Sequence, residues 1–275
     1  MKIKNFFSFP LRVLKIIIKL LKVEFNEYKT NSKLRYEKLI KTYKLCGFKE
    51  NRNNYINTLN ESLRILKYPK YNESEGMYSE HLVIFAAISK SNMEVNNILE
   101  IGTFDGKTST ILAKLFPNSK ITTIDLQDKD PIFINTYDRK SNFAEFIKNR
   151  NFLISKNKNI NFVQMNSLEL SITNNNLPKQ DLIWVDGAHG YPIVASDITN
   201  AIGLMNNQSI LMCDDIWKNK KSKDNYYDSI AGYETLNSFS QANIIETYFF
   251  SKRVGKKYND RCKYVSFSKL KTKQK

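Results

Sequence analysis

Two stretches concentrate side chains able to do chemistry. DLIWVDGAHGY (181–191) ends an apolar run with Asp186, Gly187 and His189, and SILMCDDIW (209–217) ends another with Asp214 and Asp215. If both runs are strands of one parallel sheet, their carboxyl ends lie in the crevice where such sheets bind ligands. Three carboxylates in one cleft repel each other unless a cation joins them. An all-oxygen donor set suits Mg²⁺, with water and substrate completing the shell. Asp186, Asp214 and Asp215 are therefore candidate metal ligands, and the competing reading is turn and cap carboxylates with no ion. His189 has an ordinary pKa near neutrality and is a candidate general base, with Asp186 beside it as a second candidate catalytic group. A structural histidine, or one touching a cofactor, is the alternative for His189. The other histidine, His81, falls in an earlier helix and reads as structural.

A third stretch, ILEIGTFDGKTST (98–110), sets Glu100, Gly102 and Gly106 as ExGxxxG at a strand end that opens a helix. Gly102 permits a tight turn, and Gly106 permits close approach of a ligand to the helix start. The following strand, ITTIDL, carries Asp125 at its tip, where a carboxylate can accept from ribose hydroxyls. The dinucleotide pattern GxGxxG is absent because Glu100 stands where its first glycine would be. An acidic residue there repels a pyrophosphate and suits a ligand with a cationic amino-acid end. An ordinary strand–helix turn remains the alternative.

The elements that must position these groups follow from periodicity. Strands are expected at 97–101, 120–126, 161–165, 181–186 and 209–214, alternating with helices at 107–116, 142–149, a short one near Leu168, and 192–205. Continuous apolar strands such as NILEI require a sheet covered on both faces. Strand–helix alternation at this spacing implies an α/β fold with a doubly wound, mostly parallel sheet. Residues 244–250 and 263–267 follow each other too closely for a crossover helix, so an antiparallel edge pair is expected. Earlier, residues 30–68 read as helical, with a second helix from Ile56 to Leu66, and 79–89 as a helix feeding the sheet. A Pro-, Asn-, Ser- and Gly-containing stretch at 67–76 suggests a boundary, giving a helical N-terminal extension (1–70) and a second domain (71–275).

Charge is unevenly placed. The chain of 275 residues has a formal net charge of +16, but residues 1–70 carry +12, 251–275 carry +9, and 71–250 carry −5. A mildly acidic middle argues against a nucleic-acid partner, whose enzymes line the cleft with Lys and Arg. LRVLKIIIKLLKV (11–23) confines Arg12, Lys15, Lys19 and Lys22 to an arc of about 80° when wound as a helix. An amphipathic helix at about 10–23, opened by Pro10, suits an anionic membrane surface contacted through residues 1–25. Packing on its own domain, or in a homo-oligomer, would cover the same face. No apolar run approaches the ~20 residues of a membrane span. Three widely spaced cysteines, Cys46, Cys213 and Cys262, fit a reducing, cytoplasmic setting. IWKNKKSKDNYYDS after Asp215 reads as a loop, in which Trp217, Tyr226 and Tyr227 form either a lid over the substrate or a solvated stretch.

Through Glu100, Gly102, Gly106 and Asp125, residues 78–270 resemble the class I methyltransferases that use S-adenosylmethionine. The acidic strand tips narrow this to the metal-dependent O-methyltransferases, of the catechol and macrocin O-methyltransferase-like kind, through Asp186, Asp214 and Asp215 and the DGxH group Asp186, Gly187 and His189. One departure is Asn206-Asn207, where relatives carry Gly-Gly. The resemblance implies a Rossmann-like methyltransferase fold. It also implies S-adenosylmethionine with its methionine part among Glu100, Gly102 and Thr108, its ribose on Asp125 and its adenine at Asn166 and Ser167, with Thr103 and Gly106 also binding the cofactor. The implied reaction is Mg²⁺-assisted O-methylation of a hydroxyl on a small molecule or a glycan or glycolipid precursor, handled at the inner membrane surface. Two other readings stay open: a hydroxylase-type member of the same fold group, and a non-catalytic membrane-associated binding module.

Overall fold

The computed structural model describes residues 32–73, 78–136, 141–172, 177–218, 229–253 and 263–271. Its strands are β1 (Asn97–Ile101), β2 (Lys120–Asp125), β3 (Ile160–Gln164), β4 (Gln180–Val185), β5 (Met205–Ile216), β6 (Ile245–Ser251) and β7 (Tyr264–Leu270). They form one sheet in the order β3-β2-β1-β4-β5-β7-β6. The first five pair in parallel, and β7 lies antiparallel between β5 and β6. The helices are α1 (32–45), α2 (Arg52–Ile65), α3 (Glu80–Ser89), α4 (Lys107–Leu115), α5 (Pro131–Asn135), α6 (Phe143–Ser155), α7 (Ile193–Leu204) and α8 (Ala231–Gln241), with a short 3₁₀ turn at Ser167–Ser171.

The apolar strands are continuous because both of their faces are covered. Ile98, Leu182 and Trp184 join a core with Leu59 of α2, Val83 of α3 and Leu112 of α4. Their neighbours Leu99, Ile183 and Val185 join a second core with Ile198 of α7 and Leu236 of α8. Strand alternation thus assigns successive residues to opposite layers. The two earliest helices share the first core, since Leu39 and Tyr43 of α1 meet Phe250 and Phe267 of β6 and β7 in it. At the junction of α1, α2 and α3 the carboxylate of Glu80 is fully buried. It accepts from Tyr43 Oη at 2.6 Å and from Arg52 Nε at 2.8 Å and Nη2 at 2.5 Å.

No helix among the described residues is long and apolar enough to cross a membrane. The amphipathic stretch at about 10–23, Tyr226 and Tyr227 of the expected loop, and Cys262 lie outside the described residues. Cys46 and Cys213 are buried thiols. The strand order reverses between β1 and β4, and the carboxyl ends of these two strands frame the site.

Candidate active site

A cavity of about 590 Å³ opens at that reversal point. On its β1–β2 side, Gly102 has φ 103° and Gly106 φ 77°, with Phe104 between them at φ 50°. Only glycine fits at position 102, where an added Cβ would stand 2.3 Å from the backbone oxygen of Asp186. The turn therefore lies directly on the end of β4 and joins the two strand tips. Asp125, at the end of β2, accepts from the backbone N–H groups of Phe104 and Leu126, each at 2.8 Å. Leu126, Ile132, Phe133 and Met165 form an apolar wall beside it, with Asn166 and Ser167 at the rim. Behind that wall, the fully buried Arg150 makes a bidentate pair with Asp128 at 2.8 and 3.0 Å and lies 4.5 Å above the Phe162 ring. It fixes the segment that carries Ile132 and Phe133.

The opposite side of the cavity is walled by Tyr68, Tyr78 and His81 from the helical layer and by Asp186, His189 and Asp214 from the strand tips. His81 accepts from or donates to Ser79 Oγ through Nδ1 at 2.6 Å, and its ring stacks on Trp184 at 4.8 Å. Burial lowers its pKa to about 4. Burial also lowers the pKa of His189, against the opposing pull of Asp215 and Asp214, so this imidazole is neutral and able to take a proton at neutral pH. Asp186 Oδ1 stands 3.8 Å from His189 Nε2. Its own pKa is raised well above the ordinary value, first by burial and then by the charge of Asp214.

β5 supplies two adjacent carboxylates, which a regular strand would point to opposite faces. A bulge prevents this. Cys213 pairs with Ser266 and Ile216 with Tyr264, so three steps along β5 oppose two along β7. Asp215 takes φ 51° within it. Both carboxylates then reach Lys252, whose Nζ donates to Asp214 Oδ2 and, at 2.5 Å, to Asp215 Oδ1; Lys263 Nζ donates to Asp215 Oδ2. Burial alone would raise the Asp215 pKa, but Lys252, His189 and Lys263 outweigh it and hold it below the ordinary range.

Residues 99–216 match the family model of a methyltransferase domain. Among solved structures, an O-methyltransferase-like protein of Klebsiella pneumoniae superposes with a TM-score of 0.52 at 12% identity, covering 79% of this chain and 90% of that one. The cofactor-bound protein Rv0187 from MTB gives a TM-score of 0.50 at 17% identity, covering 69% and 77%. No match to the curated proteins was found. The fold is a methyltransferase fold.

On this methyltransferase fold the expected residues divide into three groups. Gly102, Thr103, Thr108, Asp125, Asn166, Ser167, Asp186, His189 and Asp214 line one cavity, as the strand-tip reading requires. Glu100 and Gly106 do not line it. Glu100 is fully buried beneath the turn and accepts from Ser109 Oγ and from Thr123 Oγ1 at 2.6 Å. These bonds brace β1, β2 and α4. Gly106 caps α4 and faces α6, where an added Cβ would meet Ile154 Cγ1 at 3.2 Å. Asp186, Asp214 and Asp215 were expected to hold a metal ion. No cluster of His, Cys, Asp or Glu among the described residues has the arrangement to hold a metal ion. The two β5 carboxylates are already bound by Lys252 and Lys263. Sequence reading missed His81, Tyr68 and Tyr78 on the cavity wall. The only local signal for them was the aromatic content of the segments before β1.

Proposed function

We propose that the chain is an S-adenosylmethionine-dependent methyltransferase that methylates a hydroxyl of a small molecule or glycan. The observation that carries this reading is the single cavity running from Asp125 at the β2 tip to His189 beyond β4. The donor set fits the cofactor. Asp125 is the ribose acceptor, the apolar wall of Leu126, Ile132, Phe133 and Met165 suits a purine, and Gly102, Thr103 and Thr108 lie at the turn where the amino-acid end would sit.

When bound, S-adenosylmethionine supplies a methyl group from a sulfonium, whose bonding pair stays on sulfur as the acceptor oxygen forms the new bond. The protein's share of an in-line displacement is chiefly placement and exclusion of water. Tyr68, Tyr78 and His81 close the cavity from the helical layer. His189, kept neutral by burial, takes the hydroxyl proton. The carboxyl of Asp186, 3.8 Å away, then faces the imidazolium that results. No metal enters these steps, because the residues present do not fit one.

Calorimetric titration of S-adenosylmethionine into the full chain tests the reading. Saturable binding between roughly 1 µM and 1 mM is expected. Asp125→Ala should weaken it about tenfold or more, the worth of charge-assisted hydrogen bonds. In a complete assay, His189→Ala should keep that affinity and lose about 10²- to 10⁴-fold in turnover. A wild-type protein that binds no S-adenosylmethionine would end this reading.

A further inference from the structure

Behind the acidic end of the cavity, Asp214 is paired with a lysine. Lys252 directly follows β6, and its backbone is held on both sides: its N–H donates to Lys263 O at 2.9 Å, and its carbonyl accepts from Glu80 N at 3.0 Å. Its side chain, 14% exposed, donates to Asp214 Oδ2 and Asp215 Oδ1 together. Lys263 takes the other oxygen of Asp215. Of the four oxygens in this pair of carboxylates, Asp214 Oδ1 is left over. It is buried, has no hydrogen-bond partner among the described residues, and belongs to a residue on the cavity wall.

That arrangement is at odds with a divalent cation. Two carboxylates balanced by two ammonium groups carry no net charge to attract one, and the bulge of β5 aims both carboxylates at Lys252. A buried, unpartnered carboxylate oxygen is costly unless a ligand supplies the missing donor. We propose that Lys252 holds the place between the β5 carboxylates that a divalent cation would take, and that it sets Asp214 Oδ1 to receive the O–H of a neutral hydroxyl acceptor, so that the site works without a metal ion. The acceptor half rests on the methyltransferase reading, and the cation half does not. Lys252 acts here as a positioning residue, through Asp214. Asp214 Oδ1 holds the O–H while the acceptor docks, and as the methyl group transfers that O–H turns to His189, which takes the proton, so no further reactant is needed.

Mn²⁺ alone, titrated into the full chain and followed by electron paramagnetic resonance, is the probe. The wild type should show no saturable site up to millimolar Mn²⁺. Lys252→Met, which frees the carboxylates, should gain one site at least tenfold tighter than any in the wild type. Lys252→Arg should not gain it, and adding Asp214→Asn to Lys252→Met should abolish it. A merely structural lysine would give no such gain. Saturable wild-type binding that Asp214→Asn removes would overturn the proposal, as would a folded Lys252→Met with no new site. If Lys252→Met does not fold, Lys252→Gln replaces it, and the wild-type titration still decides against the proposal on its own. S-adenosylhomocysteine affinity, measured on the same samples, reports separately on the cofactor reading: its absence would sink that reading and leave the Mn²⁺ result standing.

Discussion

Glu100 shows how one side chain can carry a motif's signature and also serve the fold. It sits in the acidic position of the glycine turn, but burial raises its pKa to about 7 despite hydrogen bonds from Ser109 and Thr123. A carboxyl whose pKa is raised on folding holds its proton in the folded state at pH values where the unfolded chain has released it. The stability that Glu100 contributes should therefore fall as pH rises from the ordinary carboxylate range to about 7. Glu100→Gln removes this dependence while keeping an acceptor for the two hydroxyls. Relative to wild type, the variant should gain on the order of 3 kcal/mol in going from pH 5 to pH 9, read by urea denaturation. Parallel profiles for the two proteins would refute the assignment. His81 runs the other way: its pKa is lowered to about 4, so its contribution weakens as pH falls below the ordinary histidine value.

At the scale of elements, the three helices before β1 are joined by one buried carboxylate. Glu80 of α3 is satisfied by Arg52 of α2 and Tyr43 of α1, and its backbone N–H reaches Lys252. Removing Arg52 leaves a buried charge without its partner, a loss of about 3–5 kcal/mol. Arg52→Met should cost that much in denaturant stability, and Arg52→Met with Glu80→Gln should cost clearly less; equal losses would show that the ion pair matters little. The strands were legible in the sequence because their apolar runs are covered on both faces, and β1 fell at the expected residues 97–101. Two helices were not. α5 has five residues, and α8 (AGYETLNSFSQ) buries only Ala231, Gly232 and Leu236, too few to leave a helical stripe. The strand-tip carboxylates were legible for the same reason as the strands, but their partners were not. Asp215 meets Lys252 and Lys263 across 37 and 48 residues, through an antiparallel strand and a bulge that no local pattern announces. The acids alone point to a metal ion, and the lysines that pair with them are visible only in the fold.

For the whole molecule, the same pairing changes the meaning of the charge distribution. The middle of the chain is net −5 and residues 251–275 net +9. Part of that terminal charge is folded back, since Lys252 and Lys263 neutralise carboxylates at the cavity rather than projecting as a tail. The helical layer contributes likewise to both core and site: Tyr43 and Leu63 pack in the core behind the sheet, while Tyr68 reaches the cavity and bonds Thr110 at 3.0 Å. In the function proposed above, S-adenosylmethionine lies in this cavity along the line from Asp125 to His189. A crystal structure of the chain soaked with S-adenosylhomocysteine tests it most directly. Ribose hydroxyls are expected within hydrogen-bond distance of Asp125, the base against Ile132 and Phe133, and the thioether sulfur turned toward His189. Density for the ligand outside this cavity, or a ribose bound without Asp125, would contradict it.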